Sequence, residues 1–275
     1  MVPSLPRPSS AAIATGLVGG VGNAVVAVAL YARADYPALE STGETALVAL
    51  SAFPVGFVPL LLAAYARLVA PALGFLGLVA GTVRLEVTTP APEWGELGEY
   101  VVVDGPTHVG SYVDAWYLWL VLAALLAVAE FGLRRRYGIG DGRLRNLPDG
   151  PLERSSRYAV VVGTAVLVGI ATSLLVVDAG IRPAALTSAV FAFAAAVTAV
   201  PLAALFEDGA LAPLALFPLV PYFLVLEVFV TTDSPVHILL FGPYAVVLAV
   251  VWALERRFRS RLGASGDSLG ADEPV

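Results

Sequence analysis

Cysteine and lysine are absent from this 275-residue chain, methionine occurs once, and only His108 and His237 carry imidazole. Without cysteine there is no disulfide, no thiolate metal site and no thiol catalysis. Without lysine a retinal Schiff base cannot form and no Gly-Lys-Ser/Thr phosphate loop exists. Two histidines cannot supply the paired axial ligands of two haems. Charge is scarce as well, at 14% of residues.

What is abundant is apolar: hydrophobic residues make up 58% of the chain and the mean hydropathy is +0.82. A water-soluble domain of this size does not carry such a composition, and several apolar runs approach the roughly 20 residues a membrane-crossing helix needs. In hydrocarbon every backbone amide and carbonyl must find its partner within the segment, so such runs are read as helices. The expected fold is an all-α polytopic membrane helix bundle with about eight transmembrane helices. Their places are about 11–31, 45–66, 68–87, 110–133, 158–178, 184–205, 210–230 and 236–254. Only Ala66, Arg67 and Leu68 separate the second and third, which predicts a tight hairpin with Pro71 starting the new helix.

Arginine sets the orientation. With a cytoplasmic N-terminus, every arginine except Arg33, Arg84 and Arg182 falls on the inner side, as the positive-inside rule requires. Both termini are therefore expected in the cytoplasm of a cell-membrane protein. A cleaved signal peptide fits less well, because the first apolar run exceeds the usual 7–15 residues of a signal core.

The chain reads as two similar four-helix halves. Thr45 to Leu60 aligns with Thr187 to Leu202 at an offset of 142, including Val58-Pro59-Leu60 on Val200-Pro201-Leu202. The same offset places Ala70-Pro71 on Ala212-Pro213. Glu130-x-x-x-Arg134 recurs as Glu255-x-x-x-Arg259. This organisation gives a first repeat over 1–138 with an outer loop at about 88–109, a basic linker over 139–157, a second repeat over 158–263 and a flexible acidic tail over 264–275. Halves with an even number of spans enter the membrane in the same direction, the parallel class of repeat, which would set their histidine clusters at one surface.

Both histidines sit at the same point of the two copies. Asp104-Gly-Pro106-Thr-His108 follows Leu85-Glu86-Val87 and Thr88-Thr89; Asp233-Ser-Pro235-Val-His237 follows Leu226-Glu227-Val228 and Thr231-Thr232. In a helix, acid and histidine four residues apart share a face, where the carboxylate favours a protonated imidazole or supplies oxygen beside nitrogen for a metal. The pathway or binding candidates are Glu86, Asp104, His108, Glu227, Asp233 and His237, with Asp114, an acid entering an apolar span beside Trp116, Tyr117 and Trp119. A plainer account makes Gly105-Pro106 and Ser234-Pro235 helix starts, with the aspartates complementing the helix dipole. His108 precedes Glu130 by 22 residues and His237 precedes Glu255 by 18, so the fourth span is longer by about one turn.

Other features favour packing. Gly16-x-x-x-Gly20 and Gly77-x-x-x-Gly81 permit close helix contact, and Asn23, an amide inside a span, is expected to hydrogen-bond between helices. Glu130 and Glu255 pair with arginine one turn later. The outer loop, with Glu93, Glu96, Glu99 and Asp104, admits a short strand or hairpin near Glu99–Asp104. The linker's Gly138-Ile-Gly140-Asp-Gly142 lacks the strand and Gly-Lys-Ser/Thr of a nucleotide loop, and a net charge of −6 argues against nucleic acid.

The absence of lysine, the abundance of alanine, valine and glycine, and the acidic exposed segments resemble the multi-pass membrane proteins of halophilic archaea. That compositional resemblance implies a salt-adapted membrane and no particular activity. The expected function is transport or permeation of a small solute or ion. The alternatives are a membrane-embedded, metal-assisted hydrolase at the outer face and a non-catalytic scaffold. The lipid bilayer is the one partner the composition demands, and no cofactor motif is present.

Overall fold

The computed structural model describes residues 6–98, 100–148, 152–181, 183–230 and 235–269. Eight of its helical stretches are long and apolar enough to cross a membrane. On their outer faces large side chains lie bare: Val18, Leu50 and Leu73 are 73%, 68% and 63% exposed. Such surfaces are favourable in lipid and costly in water. The protein is an all-α polytopic membrane helix bundle.

Contacts divide the chain into two compact units, Met1–Pro151 with Val228–Thr231, and Leu152–Glu227 with Thr232–Val275. In the first, α1 (Ser10–Arg33) and α2 (Thr42–Ala66) form the tightest pair. Ser9 caps α1 by accepting from Ala12 N at 3.2 Å, and Ser41 with Glu44 opens α2 in the pattern of a capping box. Glycine decides the α1–α2 approach, because a Cβ on Gly56 would lie 2.2 Å from the Gly19 carbonyl oxygen and one on Gly20 would lie 2.6 Å from the Phe53 ring. Gly16 faces Phe57 in the same seam, whereas Gly77 and Gly81 meet nothing within 4 Å. The expected close contact at the second glycine pair is therefore not made within the described structure: α3 turns that stripe outward.

The hairpin after α2 is real. Ala66 ends the helix, Arg67 takes left-handed φ 58° and ψ 33°, and α3 (Ala70–Thr88) begins with Pro71 in its first turn. A left-handed residue with a Cβ costs about 1–2 kcal/mol. The outer loop holds an antiparallel hairpin of β1 (Glu93–Leu97) and β2 (Tyr100–Asp104), with Glu93 opposite Asp104. Gly105, at φ 110°, turns the chain out of β2 where a Cβ would press on Pro92.

The fourth span is not the continuous helix expected. It consists of α4 (His108–Asp114) and α5 (Trp116–Tyr137), interrupted at Ala115. Trp119 donates from Nε1 to the Tyr112 carbonyl at 2.8 Å, which satisfies an acceptor that the break leaves without its helical donor.

In the second unit α6 (Arg154–Asp178) packs on α7 (Ala184–Asp208), with Gly169 against Phe191. The seventh span is also interrupted, into α8 (Ala212–Leu216) and α9 (Leu219–Phe229), with Pro218 between them. The eighth opens with a 3-10 turn, Pro235–Leu240, and continues as α10 (Phe241–Leu269), so helix runs into the stretch read as tail. The same contact order recurs in each unit: first span on second, second on third and fourth, third on fourth.

Candidate functional site

Helix ends decide where the charged side chains go. Neither α3 nor α8 has a side-chain cap of its own, since Val69 and Leu211 occupy the cap positions. Glu130 of α5 supplies the missing acceptors, taking Val69 N at 3.0 Å and Ala70 N at 2.7 Å. Glu255 of α10 does the same for Leu211 N at 3.1 Å and Ala212 N at 2.9 Å. The i+4 arginines lean on these carboxylates, Arg134 at 2.5 Å and Arg259 at 2.6 Å. Both glutamates are thus caps across 60 or 43 residues of chain as well as local pairs.

Glu86 caps by the same means. It is 6% exposed near the end of α3, and its Oε2 accepts from Val109 N at 2.8 Å, in the first turn of α4. This corrects the expectation that Gly105-Pro106 starts the helix. Thr107 holds the cap position, makes no side-chain cap bond, and the acceptor arrives from another helix. It also separates Asp104 from His108: Asp104 is an exposed residue at the end of β2, and the two share no helical face. His108 is buried at 9% exposure, and its Nε2 finds no hydrogen-bond partner. Asp114 ends α4 on the exposed side, and its charge is felt at Tyr31 and Tyr36.

Around Glu86 lies a polar and aromatic cluster that the sequence alone did not reveal. Asn23 donates from Nδ2 to the Ala52 carbonyl at 2.7 Å, joining α1 to α2, and accepts the Tyr112 hydroxyl at 2.9 Å. Tyr36 sits between Tyr31 and Trp94, tilted against the first and edge-on to the second at centroid distances of 4.3 and 4.9 Å, and Trp94 Nε1 donates to the Ala34 carbonyl at 3.0 Å. This clasp ties the outer hairpin to the end of α1. Tyr36 is buried with its hydroxyl beside Gly110, and burial followed by the charge of Glu86 holds its pKa well above the ordinary phenol value. The signal for this cluster was present in Asn23, expected to bond between helices, while Tyr31 and Tyr36 near the end of α1 gave no sign of their packing.

The second unit arranges similar residues differently. Glu227, 7% exposed near the end of α9, sets Oε2 at 3.0 Å from His237 Nε2. That is ion-pair distance, although the ring nitrogen does not meet hydrogen-bond geometry. His237 also borders a cavity of about 300 Å³ whose other walls include Val220, Phe223, Phe241, Tyr244 and Val247. The Tyr244 hydroxyl is turned away to the Leu216 carbonyl, at 2.6 Å. The chamber is therefore apolar apart from the imidazole. Asp233 and the Thr231-Thr232 pair lie outside the described residues.

Of the seven predicted site residues, the structure brings together Glu227 with His237, while Glu86 meets the Val109 amide next to His108 in the chain. Asp104 and Asp114 stay on exposed positions. Among the described residues no group of three or more His, Asp or Glu side chains is placed to hold a metal ion. The fold and these buried acids define an eight-span integral membrane protein with ionisable groups inside its helical units. Comparison with protein-family models, with curated proteins and with solved structures finds no match.

Proposed function

We propose that this protein moves a small solute or ion across the membrane. Glu227 with His237, and Glu86 with His108, are the ionisable centres of the pathway. The observation that carries the reading is the 3.0 Å approach of Glu227 and His237 beside an otherwise apolar cavity of about 300 Å³. Ionisable groups within a membrane protein are costly, and they concentrate along substrate paths and proton relays. A cavity of this size falls at the lower end of the roughly 300–1,000 Å³ range of small-molecule sites. Asp104 and Asp114 serve as acids at the outer mouth.

In the same reading the two halves are copies that enter the membrane in one direction, with both termini cytoplasmic. The matched caps of Glu130 and Glu255 and the repeated contact order support duplication. The arginine distribution supports the orientation. The lysine-free composition supports a haloarchaeal cell membrane.

The test is a thermal-stability screen of the purified protein against small solutes, metal ions and pH, repeated with His108→Ala and His237→Ala. A stabilising solute or ion whose effect disappears with His237→Ala is the expected result. An effect that survives both substitutions removes the histidine sites from the pathway.

A further inference from the structure

At the other end of the first unit, the α2–α3 corner, lies a second cavity, of about 480 Å³, lined by Arg67, Val69, Arg134, Ile139, Gly140 and Arg143. Three arginines line it, and among the described side chains the carboxylate bonded to this lining is Glu130. That carboxylate is already engaged: Glu130 takes Val69 N and Arg134 through Oε1 and Ala70 N through Oε2. Arg67 and Arg143 have no side-chain partner among the described residues. The cavity thus keeps an excess of positive charge, with planar donor forks suited to the oxygens of a phosphate group.

The second unit shows that this charge is not a requirement of the corner. Gly209 holds the same left-handed position two residues before the first capped amide, with φ 65°. Asp208 precedes it, accepts Trp252 Nε1 at 2.8 Å and lies 3.9 Å from Arg256, while its carbonyl receives Arg259. There an acid and a glycine neutralise and relax the turn. In the first unit Ala66 replaces the acid and Arg67 replaces the glycine, despite its unfavourable φ of 58°. An arginine standing where glycine fits better points to a use for its side chain.

We propose that the Arg67–Arg134–Arg143 cavity binds a phosphate-bearing anion, supplied either by the headgroup of an anionic lipid or by a soluble phosphate. The site is separate from the acid–histidine centres and does not depend on the transport reading. Lipid phosphate is close at hand because the cavity sits at the ends of three membrane-spanning helices, α2, α3 and α5.

The test uses the full-length protein in phosphatidylcholine nanodiscs. One arm titrates inorganic phosphate and follows thermal unfolding; the other adds phosphatidylglycerol and counts retained lipid by native mass spectrometry. Arg67→Gly is the decisive variant, because glycine suits the left-handed corner and the fold should be retained or strengthened. Arg143→Gln is the second. A response to phosphate weakened at least tenfold in both variants identifies a soluble anion. Phosphatidylglycerol retention that falls at least fivefold in both, without a phosphate response, identifies a lipid headgroup. Absence of both responses in the wild type, or binding unchanged in either variant, overturns the proposal.

Discussion

Glu86 and Glu227 stand at matching points of the two units, near the ends of the third and seventh spans, yet they meet different partners. Glu86 is taken by a backbone amide, Val109 N at 2.8 Å, and its neighbouring histidine is left with an unbonded Nε2. Glu227 lies 3.0 Å from His237 itself, beside an apolar chamber. The chain between acid and histidine differs: 21 residues including the β-hairpin in the first unit, nine in the second. The longer connection brings a helix start, α4, to Glu86, and a first-turn amide with no acceptor inside its own helix competes well for a buried carboxylate. An acid and a histidine in the same sequence order therefore become a cap in one place and a pair in another.

The largest effects test what the units have in common. Glu130→Gln and Glu255→Gln each weaken two charge-assisted bonds to backbone amides and should cost about 1.5–3 kcal/mol, similar in both units. Chemical unfolding in mixed micelles measures this, and a cost in one unit alone would show that the matched caps are not equivalent. Next come the acids themselves. A double-mutant cycle of Glu227→Gln with His237→Gln should give a coupling of about 1–2 kcal/mol, and the cycle of Glu86→Gln with His108→Gln less than about 0.5 kcal/mol. Equal couplings would erase the distinction between cap and pair.

A smaller effect isolates the outer hairpin. Trp94→Phe keeps the ring but loses the bond to the Ala34 carbonyl, which should cost about 1 kcal/mol and increase proteolysis of the loop. Protection unchanged by this substitution would show that the clasp does not hold the hairpin.

The smallest concerns Tyr36. Its folded-state pKa lies above the value of about 10 in an unfolded chain, so the stability it contributes is complete below pH about 10 and is lost as pH rises through the folded value. Tyr36→Phe should flatten the alkaline decline of the melting temperature. An identical decline would remove the phenol from the Glu86 environment.

Much of the architecture was legible along the chain. The helix starting at Ala184 begins at the expected residue, and the α2–α3 turn falls on Arg67 as expected. The hairpin over Glu93–Asp104 occupies the loop where a strand was expected. The break at Ala115 escaped notice, whereas a span-interrupting proline marked the one at Pro218. Glu130 was readable only as the partner of Arg134 one turn away. Its longer reach to Val69 and Ala70 spans about 60 residues and has no local period to betray it. One indirect sign existed: α3 and α8 start at Val-Ala and Leu-Ala before proline, with no Ser, Thr, Asp or Asn to cap them.

By itself the sequence determined that this is a membrane protein of eight spans, because satisfying backbone hydrogen bonds in hydrocarbon is a local demand written into every run of about 20 apolar residues. It also placed both histidines beside acids in the chain. Only the tertiary structure decided which acid reaches an imidazole, which one closes a helix, and which arginines share a cavity. Those choices depend on helix ends brought together from distant parts of the chain, where a buried carboxylate turns to the strongest donor within reach.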